Sequence, residues 1–301
     1  MQVGIDLGGT KIEAAVLDAA GSFLFRERLP TPQNDYPATL LAIRDLVRAA
    51  EAALHTPSTR VGVGHPGSTA PHTGHIRNAN STCLNGQTLG ADLEALLQRP
   101  MCTANDADCL ALSEATDGVA RDYGSVFGVI LGTGVGGGWV INGRLLQGPN
   151  GLAGEWGHNP LPSACIGEYP GPACYCGKQG CIEAWLSGPA LVVDYVRHGG
   201  SATNTTVPML VEAAAAGDAC AHAALDRHTR RLARALAVLI NACDPEAIVL
   251  GGGVAQRPGL INALNAALPA HVFLPSGTPI KTALLLPQFG DSSGVRGAAR
   301  L

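Results

Sequence analysis

The sequence predicts an α/β protein of two domains, and three observations carry that expectation. Apolar strands ending in glycine turns recur along the chain, at residues 3–9, 125–138 and 247–253. Amphipathic helical stretches alternate with them, as at 36–54, where Leu40, Ile43, Leu46, Val47, Ala50 and Leu54 recur at helical spacing between charged residues. The length, 301 residues with 46% hydrophobic content and 39 glycines, is enough for two domains with a cleft between them.

At the amino end, Val3-Gly4-Ile5-Asp6-Leu7 reads as a strand, Gly8-Gly9 as its turn, and 12–17 as the returning strand, with Thr10-Lys11 leading into it. Asp6 falls at the strand end, beside a turn whose bare amides can face phosphate oxygens, which places a carboxylate next to Mg²⁺. The Gly-Lys-Ser/Thr order of a Walker loop is missing. Taken alone, Gly8-Gly9 also reads as an ordinary hairpin turn.

After the helix at 36–54 comes a short strand, Val61-Gly62-Val63-Gly64-His65, stopped by Pro66-Gly67. Asn78-Ala79-Asn80-Ser81 then falls in a loop, where Asn80 either bonds a sugar hydroxyl or caps a turn. Residues 93–97 read as helix, and 101–104 as a strand delivering Asn105-Asp106 to the start of a helix at 107–115. Asp106 there is either the helix cap or a general base aimed from a strand end, where α/β sheets bind ligands.

Strand, glycine turn and strand recur at 125–143, with Gly132-Thr133-Gly134-Val135-Gly136-Gly137-Gly138 as the turn. Two such hairpins with an aspartate between them read as two related halves, each offering a phosphate loop to one nucleotide. Further on, 189–197, 209–216 and 219–243 read as helices, the last with arginines on one face and stopped by Asp244-Pro245. A buried strand at 247–250 runs into Gly251-Gly252-Gly253, a third turn suited to an adenine or ribose. Residues 260–268 read as helix, 280–286 as partly strand, and Asp291-Ser292-Ser293 as the cap of a last helix.

Between these halves lies the stretch with the most specific chemistry. Gly154-Glu155-Trp156-Gly157-His158 is followed by Cys174-Tyr175-Cys176-Gly177-Lys178-Gln179-Gly180-Cys181-Ile182-Glu183. One imidazole and three thiolates suit a closed tetrahedral Zn²⁺ site, with His158, Cys174, Cys176 and Cys181 as ligands. Four protein ligands leave no open position, so the metal is structural and holds a loop. Cys165 is the rival ligand, ranked lower because no second Cys or His lies near it. The same loop carries Glu155, His158 and Glu183, polar groups that a metal anchor would hold around a hydroxyl-rich ligand.

The formal net charge of −4 supplies no basic footprint, so nucleic acid is not the expected partner and a small molecule is. The opening residues lack a basic segment followed by an apolar core, and the most apolar helical run, 232–243, is too short for a membrane span. Nine cysteines, an odd number and mostly scattered in apolar settings, favour a reducing cytoplasm over a disulfide framework.

Taken together, Asp6-Leu7-Gly8-Gly9-Thr10-Lys11, Asn105-Asp106-Ala107, the 132–138 turn, Glu155-Trp156-Gly157-His158 and the 174–183 stretch resemble the successive motifs of the ROK family of repressors and sugar kinases. They stand in the family's order over nearly the whole chain. Arg28-Leu29-Pro30-Thr31-Pro32, Asn78-Ala79-Asn80-Ser81 with Leu84-Asn85-Gly86, His158-Asn159-Pro160-Leu161-Pro162 and 290–297 resemble the wording of bacterial fructokinases of the manno(fructo)kinase type. His65 departs from the family pattern, where an apolar residue often precedes the Pro-Gly turn.

The resemblance implies an actin-like ATPase fold, with 1–114 plus 290–301 as a small domain and 115–289 as a large domain holding the zinc loop. It implies a homodimer and an ATP-dependent, Mg²⁺-assisted kinase for the 6-hydroxyl of fructose, with N-acetylglucosamine, glucose and mannose as alternatives. Asp106 would be the base, and Asn80, Asn105, Asp106, Glu155, His158 and Glu183 would surround the sugar. Gly4 to Lys11, Gly132 to Gly138 and Gly251 to Gly253 would hold the nucleotide. His158 is claimed twice, by metal and by sugar. A sugar-responsive repressor is disfavoured, because the first phosphate strand starts at Val3 and leaves no room for a helix-turn-helix before it. A non-catalytic sugar binder is disfavoured too, since both phosphate loops and Asp106 are intact.

Overall fold

A computed structural model describes residues 1–203 and 205–301. The chain forms two compact units. One comprises 1–122, 138–153 and 287–301, and the other 123–137 and 154–286. The unit border falls after Asp122 and not at 115, because the helix carrying Asp106 continues to Thr116. A second crossing, at 138–153, had no signal in the sequence.

The first unit contains β1 (Gln2–Leu7), β2 (Lys11–Leu17), β3 (Phe23–Pro30), α1 (Tyr36–Leu54), β4 (Arg60–His65), β5 (Ser68–Thr69), β6 (Ile76–Arg77), α2 (Leu89–Leu97), β7 (Met101–Asn105) and α3 (Asp106–Thr116). Its sheet runs β3-β2-β1-β4-β7, with β1–β2 and β2–β3 antiparallel and β1–β4 and β4–β7 parallel.

Alternation along β1 explains where its side chains go. Val3 and Ile5 pack with Ile43, Leu46 and Val47 of α1 in the buried core. Gly4 and Asp6 face the other way, and a Cβ on Gly4 or Gly62 would overlap the backbone at Ala298–Ala299. These glycines let the last helix lie directly on the sheet.

β3 was not anticipated. It is the edge strand, mostly exposed, and its Arg-Glu-Arg centre has none of the apolar alternation that marks a half-buried strand.

The chain continues through β8 (Ser125–Leu131), β9 (Val135–Ile141), β10 (Arg144–Leu145), α4 (Ile182–Leu186), α5 (Gly188–Arg197), α6 (Val207–Ala215), α7 (Ala219–Cys243), β11 (Ala247–Gly251), α8 (Leu260–Ala267), β12 (Ala283–Leu285) and α9 (Ser293–Ala298), of which β10 and α9 belong to the first unit and β9 straddles the border. The second sheet runs β10-β9-β8-β11-β12, with β8–β11 and β11–β12 parallel.

In the second unit α7 is the central helix and touches α4, α5, α6 and α8. Asp218 caps its start by accepting from the Ala221 amide at 2.9 Å, and Asp244 ends it in the left-handed conformation. No described helix is long and apolar enough to cross a membrane.

Candidate active site

In the first unit Asp6, the penultimate residue of β1, has its carboxylate against the start of α9. Gly294 makes room for it there, since a Cβ at that position would lie 2.6 Å from Asp6 Oδ2. Burial pushes the Asp6 carboxyl up to about 7, and the negative charges of Asp106 and Glu13 add to this against the pull of Lys11 and Arg28. A half-buried carboxylate with two other acids near it is a fitting neighbour for a divalent cation.

The turn after Asp6 is pinned from outside. Thr31 donates to the Gly8 carbonyl at 2.7 Å, Gln33 donates to that of Gly9 at 2.9 Å, and the Gly8 amide bonds the Lys11 carbonyl at 3.0 Å. Lys11 itself already belongs to β2.

Asn105, not Asp106, is the cap of α3: its Oδ1 accepts from the Asp108 amide at 2.6 Å. That leaves its amide NH2 as the group able to reach a ligand. Asp106 is the first residue of the helix, exposed, with Oδ1 accepting from the Ala107 amide at 2.8 Å.

Asn80 is exposed in the loop after β6, next to Asn78, whose φ is +57°. Asn85 clamps this loop by accepting from the Ala79 amide at 2.8 Å and donating to the Ala79 carbonyl at 3.0 Å. His65 is 1% exposed, with Nδ1 3.0 Å from the Pro66 carbonyl and Nε2 3.1 Å from the Thr69 hydroxyl, and burial holds its pKa down. It is a neutral brace inside the Pro-Gly turn.

In the second unit the glycine stretch 132–138 is a turn only as far as Gly134. Val135 to Gly138 lie in β9, because Gly137 must pack under Phe127 and Trp156 as part of a strand. Gly132 accepts from the Gly188 amide at 2.7 Å, and the Val135 amide donates to Glu183 Oε2 at 2.8 Å. The Gly251-Gly252-Gly253 turn lies beside it: Gly252, at φ +85°, packs on the Leu131 backbone, and the Val254 amide bonds the Leu131 carbonyl at 3.0 Å. Two glycine turns thus share the end of β8.

Glu155 begins a single 3-10 turn, 156–158, docked on β9 by Trp156. The indole is 4% exposed, donates to the Gly136 carbonyl at 2.9 Å and meets Phe127 edge-on at 5.9 Å. Glu183 is the second residue of α4, and burial raises its pKa against the opposing Val135 amide and His158.

The four metal-type residues converge. One ligand atom each from His158, Cys174, Cys176 and Cys181 lies within 4.8 Å of all the others. His158 Nδ1 stands 3.6 Å from Cys174 Sγ, and Cys176 and Cys181 Sγ are 3.6 Å apart. Tetrahedral Zn²⁺ with bonds of about 2.3 Å to sulfur needs sulfurs about 3.8 Å apart. The donor set and spacing therefore fit that ion.

Backbone pairing closes the loop around the four: the Leu161 amide bonds the Gly180 carbonyl and that of Ile182 the Asn159 carbonyl, both at 2.8 Å. Cys165, the rival ligand, is exposed and outside the group. His158 Nε2 lies 3.1 Å from the Tyr175 hydroxyl, so a sugar hydroxyl at that nitrogen would share or displace this contact.

Two groups near these sites belong to no motif in the sequence. Glu13, 1% exposed on β2, pairs with Arg26 and with Arg28, the latter at 2.8 Å. Its partner Arg28 sits directly opposite in the β2–β3 register, a relation readable only once β3 is recognised. Glu168 is the other, and it has no motif signature.

A family model described as "ROK family" matches residues 2–301. The chain is 39% identical over 309 residues to an N-acetyl-D-glucosamine kinase of Yersinia pseudotuberculosis serotype O:1b (strain IP 31758), covering 100% of this chain and 98% of that one. It is 38% identical over 303 residues to the N-acetylgalactosamine kinase AgaK of Shewanella sp. (strain ANA-3), covering 100% and 96%. Among solved structures it is similar to a ROK hexokinase from Thermus thermophilus, with TM-score 0.85, 33% identity and coverage of 99% and 96%. A ROK family glucokinase from Streptomyces griseus, solved with glucose and AMPPNP, matches with TM-score 0.82, 28% identity and coverage of 99% and 98%.

Proposed function

Because the chain belongs to the ROK family and is a sugar kinase of actin-like ATPase fold, we propose that it transfers the γ-phosphoryl group of ATP to the 6-hydroxyl of N-acetylglucosamine. The observation that carries the choice of sugar is the full-length similarity, at 39% and 38% identity, to kinases named for 2-acetamido hexoses.

The passages that resemble fructokinases speak less to the sugar, because each has a structural task. Arg28 pairs with Glu13, Thr31 holds the Gly8 carbonyl, Asn85 clamps the loop at Ala79, and Asn159 pairs with Ile182 to close the metal loop. Residues that hold a backbone in place carry no direct contact with the sugar.

In this reading Asp106 orients the 6-hydroxyl and takes its proton as the bond to phosphorus forms. Its exposure and its place on the first turn of α3 leave the carboxylate accessible to a ligand. Glu155 and Glu183 accept from sugar hydroxyls, and Asn80, the NH2 of Asn105 and His158 supply the remaining polar contacts. The 8–11, 132–134 and 251–253 turns would line the phosphates and ribose with amides other than those of Gly8 and Gly132, which already bond within their own turns. Asp6 would hold Mg²⁺ through water, and that ion, when bound, supplies charge neutralisation on the phosphates. His158, Cys174, Cys176 and Cys181 would hold Zn²⁺, whose contribution is to fix the loop bearing Glu155 and Glu183.

The test is release of ADP from ATP across N-acetylglucosamine, N-acetylmannosamine, N-acetylgalactosamine, glucose, mannose and fructose. The reading expects the highest kcat/KM with N-acetylglucosamine. A highest value with fructose or glucose would overturn the sugar assignment.

A further inference from the structure

One face of α7 gathers three separate segments of the second unit. His228, Arg231 and Arg234 recur every third residue and so stand in a row along the helix. At the first, His228 Nε2 bonds the carbonyl of Leu186, the last residue of α4, at 3.0 Å. Arg234, at the third, donates to the Ser163 carbonyl at 2.6 Å and to Glu168 Oε2 at 2.8 Å, both in the loop that separates His158 from Cys174.

Arg231 lies between them, 5% exposed, and is shared by all the segments. Its Nε donates to Glu168 Oε1 at 2.8 Å and a terminal nitrogen donates to Asp194 of α5 at 2.8 Å. Its guanidinium carbon stands 4.4 Å from the centre of the Trp185 ring on α4. Glu168 in turn accepts from the Cys165 amide at 2.9 Å. Burial opposes charge on Glu168, but that amide and the two guanidiniums hold its pKa below the usual range.

Buried ion pairs are weak contributors to net stability, since apolar side chains of like volume hold helices together as well. What they supply is direction. A planar fork with fixed donors sets where each partner stands, and a point charge such as lysine does not.

We propose that Arg231 is a positioning residue for the sugar site: by joining Trp185 of α4 to Glu168 of the metal loop, it sets Glu183 and that loop relative to each other. The proposal rests on the sugar-binding role given to Glu183 above.

The experiment compares wild type with Arg231→Lys, which keeps the charge and loses the fork, and with Glu168→Gln, which alters the other end of the same contact. Amide hydrogen exchange is followed in segments 163–168 and 182–186, and KM is measured for sugar and for ATP. The expected result is faster exchange in both segments. It should come with a sugar KM raised by between about tenfold and a hundredfold and an ATP KM within about twofold of wild type. Unchanged exchange in both segments, or an ATP KM rising in parallel with that of the sugar, overturns the positioning role. Wild type that turns over none of the sugars refutes the proposed function instead, and the exchange measurement then decides the inference by itself.

Discussion

The Glu183 carboxylate accepts a 2.8 Å hydrogen bond from the amide of Val135, so the acid proposed for the sugar is tied to the glycine turn proposed for the nucleotide. The approach is close: a Cβ on Gly134 would stand 2.6 Å from Glu183 Oε2, so the carboxylate would have to shift. Gly134→Ala should therefore displace the carboxylate and raise the sugar KM by roughly tenfold or more. Steady-state kinetics with sugar varied at saturating ATP measures it, and an unchanged KM would separate Glu183 from sugar binding.

Asp106→Asn should keep the start of α3, because an amide oxygen can replace Oδ1 as acceptor for the Ala107 amide. The loss of the proposed base should lower kcat by about 10²- to 10⁴-fold with the sugar Kd little changed. Calorimetric titration of the sugar, beside turnover measurements, checks both halves of this statement.

Cys176→Ser should remove one of the four proposed zinc ligands with little loss of packing, since Cys176 is only half-buried. Zinc per chain should fall well below one, and melting should drop by roughly 5 °C or more. Stripping wild type with a chelator should produce the same shift, and restoring Zn²⁺ should reverse it in wild type alone.

His228 is buried, and desolvation together with the Arg257 guanidinium holds its imidazole down to about 3. The unfolded chain titrates near 6.5 and so binds a proton that the folded chain refuses. This part of the stability is complete above about pH 6.5 and declines as pH falls, by up to about 1.4 kcal/mol per pH unit. Asp194 and Glu168 are held low, the first mainly by Arg227 and Arg231 against burial, and lose their contribution only below about pH 4. Asp6, held up at about 7, acts with the opposite sign, so the contrast between proteins carries the prediction. Urea unfolding at pH 7, 6 and 5 should show wild type falling more steeply than His228→Gln.

Much of this organisation is written locally in the chain. The helices at 36–54 and 219–243 have a strong apolar periodicity with a cap at each end, and both occupy those bounds. The His158, Cys174, Cys176 and Cys181 cluster was legible because ligand type and spacing are themselves the signal.

Other features depend on partners distant in sequence. β3 is a strand only because β2 offers it an edge, and Glu13 is an ion-pair centre only because Arg26 and Arg28 then arrive beside it. α4 spans five residues, too few for a periodic pattern, yet it carries Glu183. Arg231 and Glu168 stand 63 positions apart, and nothing in either neighbourhood announces the other.

The most direct measurement is a competition in one tube: the protein, ATP and Mg²⁺ with equimolar N-acetylglucosamine and fructose, and phosphorus–proton NMR of the products. The account predicts that N-acetylglucosamine 6-phosphate accumulates first. Fructose 6-phosphate appearing first, phosphate on a hydroxyl other than the sixth, or no phosphate ester at all would contradict it.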